Sequence, residues 1–465
     1  MLDLFLFGFV AGLIALGLRR PFLWILAYLY VDIVAPQKIS YFLLASIPIS
    51  LILFCAAFGG WILADDKRDA RFTGRQAMLL VLLVYCGVTT LTADFPVEAA
   101  AKWAWVWKAL VFAIFLPLAL HTRLRIEACI LFMVLSAASI VITGAIKTLA
   151  TGGGYGSLHF FVSDNTGLYE GSIISCVAVA IIPLILWLAR FGTIYAPDKR
   201  VRLFASALIF ACLLIPVGTQ ARTGLLCIAL LGGLMLRTAR HRFLFAAGAG
   251  LAVMAAIPFL PESYTSRMNT IENHKADQSA STRLAVWKWT IGYAADNPFG
   301  GGFDSYRSNR LTINTSSTET DGNTTAVETN TLTDQGRAFH SSYFEMLGEQ
   351  GWPGLILWLT IQISGLWQME RLRSHWRRRA KAAPDDRALQ WQAPLANALQ
   401  QAQLVYLLGS AFVGIAYQPF ILMLIGLQCG LWSYLRRIDS QTGGPRRASV
   451  PARLRISAKD AVTAA

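Results

Sequence analysis

Two arginines and a histidine are the side chains of this sequence best suited to chemistry. Arg222 lies in Thr219-Gln220-Ala221-Arg222-Thr223-Gly224 and Arg283 in Thr282-Arg283-Leu284-Ala285-Val286-Trp287. His340 directly precedes Ser341-Ser342-Tyr343-Phe344-Glu345. A guanidinium presents a planar fork of donors that matches phosphate oxygens. A neutral imidazole can take a proton from a substrate hydroxyl near physiological pH. Each residue also has a plainer reading. Arg222 sits in a turn between two apolar runs, where an arginine is costly unless it pairs, binds an anion or snorkels to lipid headgroups. His340 suits a polar cap on the helix that follows, and Arg283 a solvated position on a loop helix. Lys108 lies about a turn deeper than Trp103, Trp105 and Trp107, so it reaches lipid phosphate or snorkels out past that aromatic belt. Glu170, Asp164 and Glu345 are the carboxylates next in line as a base, should His340 not be one.

Other chemistries lack their residues. There is no HExxH, no DxD pair in an outward loop, no P-loop and no dinucleotide-binding glycine fingerprint. The seven cysteines (55, 86, 129, 176, 212, 227, 429) all lie in apolar runs without metal-type spacing, which predicts buried thiols. The expectation is a reaction without metal, nucleotide or other cofactor, on a substrate that already carries its activation.

The elements that must position these residues are membrane helices. Of 465 residues 55% are hydrophobic and 15% charged, and the mean hydropathy is +0.49. Apolar runs of about 17–25 residues recur, and each can cross a hydrocarbon core as a helix with its backbone polar groups satisfied internally. The predicted spans are approximately 2–18, 21–36, 40–64, 76–92, 101–120, 126–146, 169–191, 203–218, 222–236, 243–260, 343–367, 399–416 and 420–436. Because the first two are short and meet at Arg19-Arg20-Pro21, they amount to twelve full spans, or thirteen if counted apart. Met1–Leu18 has no basic stretch ahead of it and is expected to stay as a span. Lys67, Arg68, Arg71 and Arg75, Arg123 and Arg125, the run Arg371 to Arg387 and the tail after Arg436 mark the cytoplasmic side. The net charge of +14 is therefore largely a topology signal, and nucleic acid is not an expected partner.

This gives an all-α polytopic membrane protein in four parts: N-terminal spans 1–260, a large outward loop 261–340, C-terminal spans 341–436 and a basic, disordered cytoplasmic tail 437–465. Within the loop, Leu311–Gly336 is rich in Thr, Asn and Ser and is expected to be a mobile lid or rim. His159, His274 and His340 face outward, whereas His121, His241 and His375 fall in basic loops.

In order, spacing and sidedness the motifs resemble those of the O-antigen ligase and polymerase superfamily, in particular its ligase-like members. The resemblance is strongest from Cys212 to Trp367. It rests on Gln220-Ala221-Arg222-Thr223-Gly224, Arg283 to Trp287 and Asn297-Pro298-Phe299-Gly300-Gly301-Gly302. It continues in His340-Ser341-Ser342-Tyr343 and Gly348-Glu349-Gln350-Gly351-Trp352-Pro353-Gly354. Asp164-Asn165 resembles the family's short Asn-containing element, and Leu18-Arg19-Arg20-Pro21-Phe22 resembles ligases of exosortase-associated operons. The resemblance implies a GT-C-like glycosyltransferase of the bacterial inner membrane, with its active site on the periplasmic side. It implies that Arg222 and Arg283 clamp the diphosphate of an undecaprenyl diphosphate-linked glycan and that His340 activates the acceptor hydroxyl, which belongs to a lipid A-core. Lys108, Asp164, Asn165, Glu170 and Tyr343 are expected to support substrate binding. A Wzy-type polymerase, a protein O-oligosaccharyltransferase and a lipid-linked sugar transporter are the alternatives. Transport is disfavoured by the lack of paired repeats and mid-membrane polar residues.

Overall fold

The computed structural model describes residues 2–67, 70–152, 167–237, 278–321 and 324–442. The expected span 243–260, residues 261–277 of the large loop, Asp164, Asn165 and the tail from 443 lie outside them.

The described chain is a mostly helical, multi-pass membrane protein. Its N-terminal helices are α1 (Leu2–Arg19), α2 (Phe22–Val34), α3 (Pro36–Ile39), α4 (Ile49–Ala64), α5 (Gly74–Leu91), α6 (Pro96–Ala119), α7 (Arg123–Thr151), α8 (Gly171–Phe191), α9 (Lys199–Gly218) and α10 (Arg222–Leu236). Then come α11 (Gln278–Asp296), strands β1 (Arg310–Asp321) and β2 (Thr324–Gln335), and helices α12 (Ser342–Ala382), α13 (Gln392–Ser410) and α14 (Pro419–Thr442). Among the described residues seven helices are long and apolar enough to cross a membrane by themselves: α1, α5, α6, α7, α8, α9 and α14. The shorter apolar helices α2, α4 and α10 and the more mixed α12 and α13 occupy the other expected spans. α14 runs on through Arg437 to Thr442, so the first residues assigned to the disordered tail are helical.

Burial orders the bundle. In α8 83% of the apolar window is buried, against 22% for α1, so α8 is central and α1 peripheral. Lipid offers no hydrophobic gain for helix association, so close approach at small residues and interhelical hydrogen bonds do the holding. A Cβ on Gly409 of α13 would come within 2.2 Å of the Cys176 sulfur in α8. A buried amide ladder joins four helices. The Gln403 amide donates to Gln362 Oε1 (2.7 Å) and the Gln428 amide to Gln403 Oε1 (2.9 Å). Arg75 then donates to Gln428 Oε1 at 3.0 Å. Arg75, counted from sequence among the loop charges, is thus buried at the start of α5.

The all-α expectation has one exception. Residues 311–336, expected as a mobile rim, fall almost wholly in an antiparallel hairpin running from Arg310↔Gln335 to Asp321↔Thr324. The cause is in the composition: a Thr-rich, β-branched run can pair its backbone with itself without needing an apolar core.

Candidate active site

The site is assembled around a break in α12. Gly351 has φ 63 and ψ −167, a left-handed conformation that favours glycine. The break frees backbone carbonyls, and the loop after α11 satisfies them. Gly301 N donates to Gly348 O (3.0 Å) and Gly302 N to Glu349 O (2.9 Å), while Trp352 N donates to Pro298 O (3.0 Å). Pro353 has no N–H for the Glu349 carbonyl four residues back, which leaves that oxygen for Gly302. The fit is tight: a Cβ on Gly351 would lie 2.2 Å from Pro298 O and one on Gly300 2.5 Å from Glu349 O. The Tyr85 hydroxyl closes the junction by donating to Gln350 O (3.0 Å). The two glycine-containing motifs noted in the sequence are therefore one interlocked unit.

Just before this unit, α11 and the start of α12 hold His340. The Trp287 indole donates to Phe339 O at 2.9 Å and stacks on Phe344 at 4.9 Å. Arg283 is one helical turn before Trp287, so it shares that face of α11. Its guanidinium acts on the His340 ring. Desolvation by the protein around it, then Arg283, then Arg337 lower the pKa of His340 below the ordinary 6.5, although the ring still reaches solvent. The imidazole is thereby kept neutral at physiological pH, as a proton acceptor must be. His340 also carries φ 48, a backbone conformation that costs a non-glycine residue roughly 1–3 kcal/mol. Among the described residues four non-glycines have positive φ; two of them (Gln220, His340) fall in the named motifs and a third, Asp304, lies two residues after the Asn297–Gly302 motif.

Arg222 is the first residue of α10, in the turn that packs on the start of α8. The Thr219 and Ser175 hydroxyls are 2.7 Å apart, and a Cβ on Gly224 would meet Pro216 at 2.6 Å. Further along α10, Cys227 packs against Gly409 of α13. The turn after α13 is clamped by Ser342, whose Oγ donates to Val413 O (3.0 Å) and accepts from Ile415 N (2.9 Å). Arg222 and His340 are therefore at the same end of the bundle, on either side of the end of α13. The N-termini of α8 and α10 also meet there, and aligned peptide dipoles favour an anion at such ends.

The other expected residues divide. Glu170 caps α8, accepting from Ile173 N at 2.8 Å. The Tyr343 hydroxyl donates to Leu407 O (3.1 Å) and its ring packs on Trp358, which makes it a brace between helices. Lys108 Nζ is 3.4 Å from Ser50 Oγ and within electrostatic reach of Asp32, and no described contact brings it to His340. Asp164 and Asn165 lie outside the described residues.

Sequence reasoning missed a charge cluster behind the site. Lys102 Nζ donates to Glu345 Oε1 (2.8 Å) and to the fully buried Glu349 (2.7 Å), and lies 3.8 Å from Asp304. The same Glu349 oxygen accepts from Asp304 N at 3.0 Å, and Glu345 Oε2 accepts from Ala416 N at 3.0 Å. One lysine thus ties α6 to the glycine loop, α12 and the α13–α14 turn. The signal was available: two acidic residues inside a helix that also reads as apolar demand a cation.

Comparison with known families divides the chain in two. Residues 1–193 match a family of unknown function, and residues 205–359 match the O-antigen ligase family. The match over residues 205–359 supports membership of the O-antigen ligase and polymerase superfamily. The matched segment contains Arg222, Arg283, His340 and the Gly351 break. Lys102, Lys108 and Glu170 come from the region 1–193. No curated protein shows a significant match.

Proposed function

We propose that this protein is an O-antigen ligase of the bacterial inner membrane with a GT-C-like architecture. It transfers a glycan from undecaprenyl diphosphate to a lipid A-core acceptor at the periplasmic face, without a metal ion and with inversion. The observation that carries the reading is a neutral imidazole beside arginine: His340 is held below its ordinary pKa partly by Arg283. As the bond from the anomeric carbon to the diphosphate oxygen breaks, negative charge grows on the leaving diphosphate. Arg222 and Arg283 stabilise it most in that state. The acceptor hydroxyl gives its proton to His340 and attacks the anomeric carbon from the opposite face, so no glycosyl-enzyme intermediate forms. The polyprenyl tail stays in lipid while its diphosphate meets the helix N-termini.

The test is to incubate purified protein with an undecaprenyl diphosphate-linked glycan and a lipid A-core acceptor, then look for the covalent shift of acceptor mass. Transfer in the presence of acceptor only is the expected result. Growth of the glycan with donor alone would instead identify a polymerase, and the absence of any covalent product would overturn the transferase reading.

A further inference from the structure

The Lys102 cluster forms one wall of a cleft of about 380 Å³ between the start of α6, the turn at residues 304–308 and the turn from α13 to α14. Glu98, Lys102, Trp105, Asp304, Arg307 and Gln418 line it. Its ion pairs are of two kinds. The inner ones, Lys102 to Glu345 and Glu349, are at 2.8 and 2.7 Å and almost closed to solvent. The outer ones, Arg307 to Glu98 at 3.7 Å and Lys102 to Asp304 at 3.8 Å, are too long to be hydrogen bonds. The inner pairs therefore hold the fold, and the outer groups keep donors and acceptors open to the cleft. Trp105, 38% exposed, adds an aromatic surface at the rim.

The charge of the cleft selects the ligand. Three carboxylates of the lining, Glu98, Asp304 and Glu345, stand against the two cations Lys102 and Arg307, so the cleft offers a second phosphate no excess of positive charge. What fits is an uncharged molecule with many hydroxyls. Adjacent hydroxyls can donate to a carboxylate while accepting from a guanidinium, and the apolar face of a sugar ring can cover Trp105. The cleft is also close to the chemistry. Glu345, on its wall, lies in the first turn of α12, and His340 stands two residues before that helix begins.

We infer that this cleft is the acceptor subsite and binds a run of neutral sugar residues, presenting the next hydroxyl to His340. The inference rests on the glycosyl transfer proposed above for its role, and on the cleft's own chemistry for its ligand. Donor and acceptor are then separated by electrostatics: arginines and helix N-termini take the diphosphate, and the acid-rich cleft takes the uncharged sugars.

The probe is a core oligosaccharide freed of lipid and phosphate, titrated by saturation-transfer NMR into the full-length protein in nanodiscs. Glu98→Gln and Trp105→Ala, both at partly exposed positions, should each weaken its binding at least tenfold, whereas Arg222→Ala should leave it within about twofold. In turnover the same two cleft variants should raise the acceptor KM about tenfold while the donor KM stays unchanged. Failure of the oligosaccharide to bind at millimolar concentration overturns the inference, as does equal binding by the cleft variants or a loss in Arg222→Ala as large as theirs. The two readings fail separately. Sugar binding that depends on Glu98 and Trp105 without any glycan transfer would sink the ligase reading alone. Transfer with an acceptor KM unaffected by both variants would sink the cleft alone.

Discussion

His340 combines two unfavourable features: a left-handed backbone (φ 48) and a ring whose protonated form is opposed by burial and by Arg283 and Arg337. Both make sense if a neutral ring must face a hydroxyl in one orientation. His340→Ala should lower turnover by about 10²–10⁴-fold with donor affinity nearly unchanged, read from single-turnover rates and donor titration. Only the neutral imidazole accepts a proton. Activity should therefore rise with pH through a pKa below 6.5 and level off above it, and this acid limb should vanish in His340→Ala. The sign for stability is the same. The folded protein holds fewer protons on this ring than the unfolded chain, so its contribution is complete above 6.5 and is lost on acidification through the lowered folded pKa. Arg222→Ala should weaken both donor binding and turnover. Arg222→Lys should recover only part, since an ammonium keeps the charge and loses the fork. If His340→Ala weakens donor binding as much as Arg222→Ala, the two roles are exchanged.

Among elements, the broken α12 matters most, because it begins just after His340 and lets the glycine loop dock at its break. Gly351→Ala puts a methyl 2.2 Å from Pro298 O at a left-handed position, so it must move the loop or straighten the helix. A loss of more than about 2 kcal/mol is expected from the strain alone and the displaced contacts, measured as a fall in thermal unfolding midpoint together with activity. Gly292→Ala is the control. It lies in α11, where a Cβ meets nothing within 4 Å, and helix propensity predicts a gain of about 0.5–1 kcal/mol. Equal behaviour of the two variants would show that the break is not held by the glycine.

For the molecule as a whole, Lys102 joins the two family regions. Lys102→Met removes the one cation between Glu345 and Glu349 and leaves two carboxylates facing each other. Breaking such a buried pair costs about 3–5 kcal/mol, so this variant should unfold earlier in a thermal ramp than any substitution at the surface of the cleft. A midpoint like that of the parent protein would remove the cluster's structural role. Because arginines supply the charge in the proposed reaction, turnover should also survive EDTA. Loss of activity restored by Mg²⁺ or Mn²⁺ would contradict the mechanism.

Much of this was legible along the chain because its causes are local. A run of apolar residues in hydrocarbon has to form a helix, since it must satisfy its own backbone, and basic loops set its direction. Arg222, Arg283 and His340 stand out for the same reason, as polar residues at motif positions beside apolar runs. The strand pairing at 310–335 was not read from sequence because a strand pair satisfied by its own backbone leaves no apolar signature. What only the tertiary structure decided is which residues meet. Lys102 and Glu349 are 247 positions apart, and the Gly351 break is intelligible only against the carbonyl of Pro298. Tyr343 and Glu170, expected from sequence at the site, also serve as a brace and a cap, contacts that no spacing announced. Partners for a buried charge or an unsatisfied carbonyl are chosen by proximity in space, and no spacing along the sequence encodes that.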